Sequence, residues 1–131
     1  MSRLFLQETA KYKDLVDLTL CCMLYKVCNC RQFEHMKGSE FVDFMNLKSV
    51  SAKICFREKN RVCYLLYMVS KRFDSPILGQ EWLSLILEAC QISPEYYRSH
   101  YKDAVASGAG DKNKEFVSDV KNAFNMANNL M

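Results

Sequence analysis

The stretch SVSAKICFREKNRVCYLLYMVSKRF, residues 49–73, decides whether this chain contains a β-sheet. Its first part alternates apolar and polar side chains, and a period of two is typical of an extended strand. The apolar members of this alternation are Val50, Ala52, Ile54 and Phe56. A strand over residues 50–57 needs a partner, so the fold class depends on the residues that follow.

The second part of the stretch, NRVCYLLYMVSKRF, has apolar residues at helical spacing. These residues are Val62, Leu65, Leu66, Val69 and Phe73. The spacing predicts a helix over residues 58–73 and therefore an all-α fold. The alternative is an α+β fold, in which residues 60–68 pair with the strand as a small hairpin near residues 50–67.

The rest of the chain indicates further helices. They are predicted over residues 4–28, 38–47, 80–90 and 94–105, and an amphipathic C-terminal helix follows a flexible linker at residues 107–113. Only 4 Gly and 2 Pro occur among 131 residues, and 50% of the residues are hydrophobic, which favours helices around a buried core. We therefore predict one all-α domain over residues 1–131, a compact bundle of about five to six helices. The C-terminal helix is expected to pack on this bundle, and its exchange onto a partner chain is the oligomeric alternative.

The sequence also bears on location. No run of about 18 apolar residues occurs, because Asp17 and Lys26 interrupt the most apolar stretch. The N-terminus, MSRLFLQETAKYKD, lacks the apolar core and the cleavage site of a signal peptide. The chain is therefore expected to be cytoplasmic and to have no membrane partner.

A sulfur-rich stretch, LTLCCMLYKVCNCRQFEH, begins at Leu18 and contains four of the seven cysteines. Zinc ligands usually come in two pairs with spacings such as Cys-x2-Cys, whereas Cys28 and Cys30 are separated by one residue and His35 stands alone. An odd number of cysteines in a reducing cytosol indicates free thiols. We therefore expect no metal and no cofactor, and a redox role for Cys28 or Cys30 is left open.

Burial is the expectation for three of these cysteines. Cys21, Cys22 and Cys28 lie on apolar faces of the predicted first helix, and free cysteine behaves as a small hydrophobic residue. No catalytic signature accompanies them, since the nucleophile elbow, the HExxH motif, the phosphate loop and the dinucleotide-binding glycines do not occur. The sequence therefore predicts a non-enzymatic binding protein.

Charge is unevenly distributed along the chain. Residues 53–72 contain six basic residues and one acidic residue, although the net charge of the whole chain is only +3. A basic and aromatic stripe recurs along the predicted third helix at intervals of three and four residues. It consists of Arg57, Arg61, Tyr64, Met68 and Lys71. Such a stripe suits DNA phosphates or an acidic patch on a protein partner, and a solvated surface is the plain alternative.

The segment ACQISPEYYRSHYK, residues 89–102, resembles the helix-turn-helix of AraC-type transcription regulators. The matching residues are Ala89, Ile92, Ser93, Pro94, Tyr96, Tyr101 and Lys102. Ala89 would allow a close helix crossing, Ile92 would fill the turn and Ser93 would cap the second helix. Gln91 stands where that family usually has a turn glycine.

The resemblance implies DNA binding, with the second helix in the major groove. Tyr97 and Tyr101 would then face inward. The candidate contact residues on this segment are Tyr96, Arg98, Ser99 and Lys102. We therefore predict a small helix-turn-helix-like DNA-binding or regulatory protein. The alternative is a helical adaptor or inhibitor that binds a protein partner through the basic stripe or the C-terminal helix.

Overall fold

Six α-helices and one short 3-10 helix are present in the computed structural model, which describes residues 15–48 and 51–130. The α-helices are α1 (Leu18–Cys28), α2 (Gly38–Met45), α3 (Lys59–Ser70), α4 (Pro76–Ala89), α5 (Pro94–His100) and α6 (Asp111–Leu130). The 3-10 helix, Asp103–Val105, lies between α5 and α6. No strand occurs in the described part of the chain, only isolated bridges, so the predicted all-α bundle is confirmed.

The hairpin alternative is wrong because the residues that would form its second strand belong to α3. The central residues of α3 are buried on most sides, and they include Val62, Leu65, Leu66 and Val69. A helix satisfies its backbone internally, so it can be buried in this way without a neighbouring strand. The predicted strand over residues 50–57 is reduced to one antiparallel bridge between Ile54 and Phe33, and Val50 lies outside the described residues.

Within the described residues, α1 begins at Leu18, inside the helix predicted over residues 4–28. Asp17 caps it, because its carboxylate accepts a hydrogen bond from the Leu20 amide at 3.0 Å. The amides of Leu15 and Val16 donate instead to the buried side chain of Asn46, at 2.6 and 2.9 Å. The predicted start at residue 4 lies outside the described residues.

The fourth and fifth helices also differ in their bounds from the prediction. α4 begins four residues early, because Ser75 accepts a hydrogen bond from the Leu78 amide and Pro76 occupies the first turn. α5 ends at His100 instead of residue 105, and the chain continues into the 3-10 helix. Lys102 therefore lies beyond α5.

α6, the C-terminal helix, packs on the other helices of its own chain, as predicted. Its buried residues are Phe116, Val120, Ala123, Phe124 and Ala127, and the helix contacts α1, α3 and the 3-10 helix. The connection that precedes it is shorter than the predicted linker at residues 107–113, because α6 already begins at Asp111. Gly108 and Gly110 have φ angles of 77° and 93°, which glycine adopts without a steric penalty.

α4 carries the largest core side chain, Trp82. Its indole Nε1 donates to the carbonyl of Met45 at 2.8 Å, which ties α4 to the end of α2. The close approach between α3 and α4 occurs at Gly79, which faces the Ser70 carbonyl. Ala89, which was expected to allow a close crossing, is exposed. None of the helices in residues 15–48 and 51–130 is long and apolar enough to span a membrane.

Candidate nucleic-acid interface and polar cleft

The turn between α4 and α5 adopts a left-handed backbone at Gln91, with φ of 59°. The next residue, Ile92, is buried, and its amide donates to the Leu87 carbonyl at 2.9 Å. Ser93 then caps α5, since its hydroxyl accepts a hydrogen bond from the Tyr96 amide at 3.1 Å. The turn is filled by Ile92 and α5 is capped by Ser93, as predicted, and Gln91 adopts a left-handed conformation of the kind that favours glycine.

Three predicted contact residues, Arg98, Ser99 and Lys102, are exposed. Arg98 and Ser99 lie in the second turn of α5, and Lys102 lies beyond its last residue, His100. Arg98 makes an ion pair with Glu95 at 3.6 Å, and both side chains are largely solvated. The inward face holds Tyr97, which is buried, and burial raises the pKa of its phenol. Tyr101 is half-buried and stacks on Tyr97, with ring centroids 5.0 Å apart.

The fourth predicted contact residue, Tyr96, is held within the fold. Its hydroxyl donates to Asn60 of α3, and the Lys59 ammonium lies 4.3 Å from the centroid of its ring. Asn60 in turn donates to Asp103 at 2.9 Å, and Asp103 is paired with His100 at 2.7 Å. Tyr96 therefore positions α5 on α3 and is not a free contact residue.

The predicted basic stripe is not one surface. Tyr64 is 3% exposed and packs edge-on against Phe116 of α6. Arg57 is exposed but precedes α3, and its φ of 65° breaks the helical spacing. Lys71 is exposed beyond the other end of α3, with its ammonium 5.2 Å from the Tyr67 ring centroid. The stripe fails because α6 covers the middle of α3.

Arg61, the remaining basic member of the stripe, belongs to a buried ion cluster. Its Nη1 donates to Glu58 Oε2 at 2.7 Å, and its Nε donates to Asn113 Oδ1 of α6 at 2.8 Å. Glu58 is 4% exposed and also accepts hydrogen bonds from Gln32 at 3.0 Å and Lys112 at 3.2 Å. Burial alone would raise the pKa of Glu58, but these hydrogen bonds outweigh it and hold the pKa below its usual value.

This cluster lines a cleft between the end of α1, the start of α3 and the start of α6. The cleft has a volume of about 360 Å³. We call it the polar cleft, and its polar lining includes Arg31, Gln32, Glu58, Arg61, Lys112 and Glu115. Sequence reasoning missed all of these except Arg61. Glu58 could have indicated the ion cluster from the sequence, because it is the one acidic residue among the six basic residues of residues 53–72.

The sulfur-rich stretch has three kinds of environment. Cys21 and Cys28 are buried, as expected, and burial raises the pKa of the Cys28 thiol to about 12. Cys22 was expected to be buried but is exposed, because α1 turns this position to solvent. Cys30 is also exposed, and its Sγ lies 3.8 Å from Nδ1 of His35.

The other three cysteines are distributed through the fold. Cys63 and Cys90 are buried, whereas Cys55 is partly exposed. Burial raises the pKa of Cys63 to about 11 and that of Cys90 to about 12. Within residues 15–48 and 51–130, no group of three or more His, Cys, Asp or Glu side chains is arranged to hold a metal ion.

Comparison with known proteins returns no relative: no family model, curated protein or solved structure matches this chain.

Proposed function

We propose that this chain is a small cytoplasmic DNA-binding protein with a regulatory role. The observation that carries the proposal is the turn between α4 and α5, in which Gln91 has a left-handed backbone, Ile92 is buried and Ser93 caps the next helix. A helix-turn-helix needs a sharp, rigid turn of this kind to hold its second helix at a fixed angle for the major groove. The resemblance of residues 89–102 to AraC-type regulators points the same way.

The exposed side chains in the second turn of α5 and just beyond this helix have the chemistry that DNA contacts need. Arg98 can form two parallel hydrogen bonds with guanine, and Ser99 can bond to a base edge or a phosphate. Lys102, which lies just beyond α5, suits a phosphate oxygen. α4 and α5 both pack on α3, which supports them from behind.

Binding to a fluorescent pool of random DNA duplexes, followed by anisotropy at about 50 mM salt, tests this proposal. We expect binding by the wild-type protein and a loss of at least about tenfold in affinity for Arg98→Ala with Lys102→Ala. The slope of log affinity against log salt should become shallower by about 1 to 2. The melting temperature should barely change, because both side chains are exposed.

The matched control is Lys26→Ala with Lys48→Ala, which removes two exposed cations from α1 and from the segment after α2, outside residues 89–106. This variant should retain its affinity if binding is localised at α5. Equal losses in the two double variants would indicate diffuse electrostatic attraction. Absence of binding by the wild type at low salt would contradict the proposal.

A second candidate function, docking to a protein partner, is favoured by Phe56. This side chain is 86% exposed, and the Arg57 guanidinium lies 5.1 Å from its ring centroid. Exposed aromatic and arginine side chains are enriched in protein interfaces. If an adaptor function is correct, Phe56→Ser should abolish capture of a partner from host extract. Ile77→Ser, which changes an exposed apolar residue elsewhere, on α4, should leave this capture unchanged.

Salt separates the two functions. Phosphate binding weakens steeply between about 50 and 200 mM salt because it releases counterions. A complex centred on an apolar side chain such as Phe56 depends much less on salt. A partner complex that persists at high salt, together with no DNA binding at low salt, would replace the DNA proposal with the adaptor function.

A further inference from the structure

A groove separate from the polar cleft lies along α6, where this helix meets the 3-10 helix and the residues that follow it. Its apolar lining includes Ala104 and Val105 of the 3-10 helix and Val117 of α6. The groove has a volume of about 610 Å³, and we call it the α6 groove. Val105 is 47% exposed although its side chain is apolar. An apolar side chain in a concave surface gains free energy when a partner removes it from water.

The charged residues that line the α6 groove are all basic. They are Lys114 and Lys121, and both are exposed. Neither lysine forms an ion pair with a residue that the structure describes. Asp103 of the 3-10 helix does not line the groove and is bonded instead to Asn60 and His100. The α6 groove therefore has two cations and no carboxylate of its own to neutralise them.

The carboxylates on the same stretch of α6 lie on a different side of the helix. Glu115 and Asp119 line a depression between α6 and α1, and neither of them lines the α6 groove. α6 therefore separates its charges, with only cations along the α6 groove. Because complementary charge favours one class of partner and repels the other, the α6 groove favours a partner with negative charge.

The spacing of the two lysines matches the repeat of a helix. Lys114 and Lys121 are two turns apart on α6, about 10 Å along its axis, and Val117 lies between them on the same side. The side chains of a second helix that packs lengthwise on α6 recur at the same interval. Two carboxylates on such a helix, two turns apart, would reach both lysines, and an apolar residue between them would cover Val117.

We propose that the α6 groove binds an acidic amphipathic helix of a protein partner. Two carboxylates of this helix pair with Lys114 and Lys121, and an apolar side chain between them packs on Val105 and Val117. A DNA backbone would satisfy the lysines but would leave the apolar side chains of the groove in water, so the groove fits a protein helix better than a nucleic acid. This inference is independent of the proposed DNA binding, because none of residues 89–102 lines the α6 groove.

The probe is a fluorescent, helix-forming synthetic peptide with glutamates at positions i and i+7 and leucines at i+3 and i+4, and anisotropy measures its binding to the full chain at about 50 mM salt. We expect the wild-type protein to bind this peptide. Replacement of both leucines by serine should lower the affinity at least about tenfold, because the groove then gains no apolar contact. No binding of the probe, or equal binding of the serine peptide, would overturn the proposal.

Two double variants locate the site. Lys114→Glu with Lys121→Glu should lower the affinity for the probe at least about tenfold, and a peptide with lysines in place of the glutamates should bind this variant better than it binds the wild type. Both side chains are exposed, so circular dichroism should show an unchanged fold. Lys26→Glu with Lys48→Glu, two exposed lysines outside the α6 groove, is the matched control and should bind the probe like wild type. Equal losses in the two variants would indicate diffuse charge attraction and would overturn the proposal.

The pool of random DNA duplexes separates a nucleic-acid partner from a protein partner. We expect Lys114→Glu with Lys121→Glu to weaken binding of the probe more than binding of DNA. If this variant loses DNA binding while Arg98→Ala with Lys102→Ala keeps it, and the wild type does not bind the probe, the groove holds phosphates and the proposed protein helix is wrong.

Discussion

At the scale of single residues, two buried polar side chains, Asn46 and Glu58, each connect distant segments of the described chain. Asn46 holds the entry to α1, where its side chain accepts from two amides and donates to the Val42 carbonyl at 2.9 Å. Glu58 holds the start of α3 against α6 and the segment after α1. In both cases one side chain makes hydrogen bonds with several groups from distant parts of the chain. Removal of that side chain would leave those groups without hydrogen-bond partners.

We predict that Glu58→Gln lowers the free energy of unfolding by about 1 to 3 kcal/mol at pH 7, because it removes the charge that Arg61 and Lys112 bind. The pKa of Glu58 lies below the usual value of 4.5 in the folded state, so in that range of pH the unfolded chain binds more protons. The stabilisation is therefore complete well above pH 4.5 and is lost as the pH falls through the folded pKa.

Urea unfolding at pH 7 and at about pH 3 measures this contribution. The difference between the wild type and Glu58→Gln should shrink at the lower pH. Glu115→Gln is the control, because this exposed carboxylate should change stability by less than about 0.5 kcal/mol at either pH. A Glu58→Gln variant as stable as wild type at pH 7 would show that the buried cluster contributes no net stability.

At the scale of helices, local capping and close approach determine how α3, α4 and α5 meet. Ser75 and Ser93 cap α4 and α5, and each is followed by a proline in the first turn. Gly79 lets α4 approach the last turn of α3, because a side chain there would meet the Ser70 backbone. The packing of α4, the first helix of the helix-turn-helix-like unit, on α3 therefore depends on one small residue near the start of α4.

We predict that Gly79→Ala destabilises the protein by about 1 to 3 kcal/mol. The new Cβ would lie 2.5 Å from the Ser70 carbonyl oxygen, which is a backbone atom and cannot rotate away. Thermal or urea unfolding measures the change. Gly38→Ala at the start of α2 is the matched control, since its nearest neighbour would be a Tyr25 ring carbon at 3.8 Å, an ordinary contact. Similar effects at the two glycines would refute the close packing of α3 and α4.

At the scale of the whole molecule, α6, at the C-terminal end of the described chain, packs on α1, at its other end, and on α3. Its apolar face contacts α1, and Phe116 packs on Tyr64 of α3. Trp82, the single tryptophan, lies in α4, which also packs on α3. α3 therefore mediates between the C-terminal helix and the segment that contains the helix-turn-helix-like turn.

We predict one cooperative unfolding transition, with the same midpoint by far-ultraviolet circular dichroism and by Trp82 fluorescence. Circular dichroism reports all helices, including the long α6, whereas the fluorescence reports the surroundings of α4. Phe124→Ala on α6 should lower both midpoints together, because it removes a buried side chain from the shared core. An earlier loss of helix signal would mean that α6 unfolds separately and that residues 1–131 are not a single cooperative domain.

Patterns within one helix or one turn could be predicted from the sequence by itself. The apolar spacing of Val62, Leu65 and Leu66 predicted α3, and the Ser93-Pro94 pair predicted the start of α5. Such features depend on residues within one or two turns of each other, and their physics is local. The outward position of Arg98 followed for the same reason, from its place on a short helix with a buried Tyr97.

The tertiary structure alone decided which surfaces remain accessible and which polar groups meet. Tyr64 left the predicted stripe because α6 covers it, and no spacing within α3 indicates the position of a helix about 50 residues away. Gln32 reaches Glu58 across 26 residues, and Arg61 reaches Asn113 across 52. The helices arise from short-range spacing and capping, whereas the polar cleft exists only because packing brings three separate segments together.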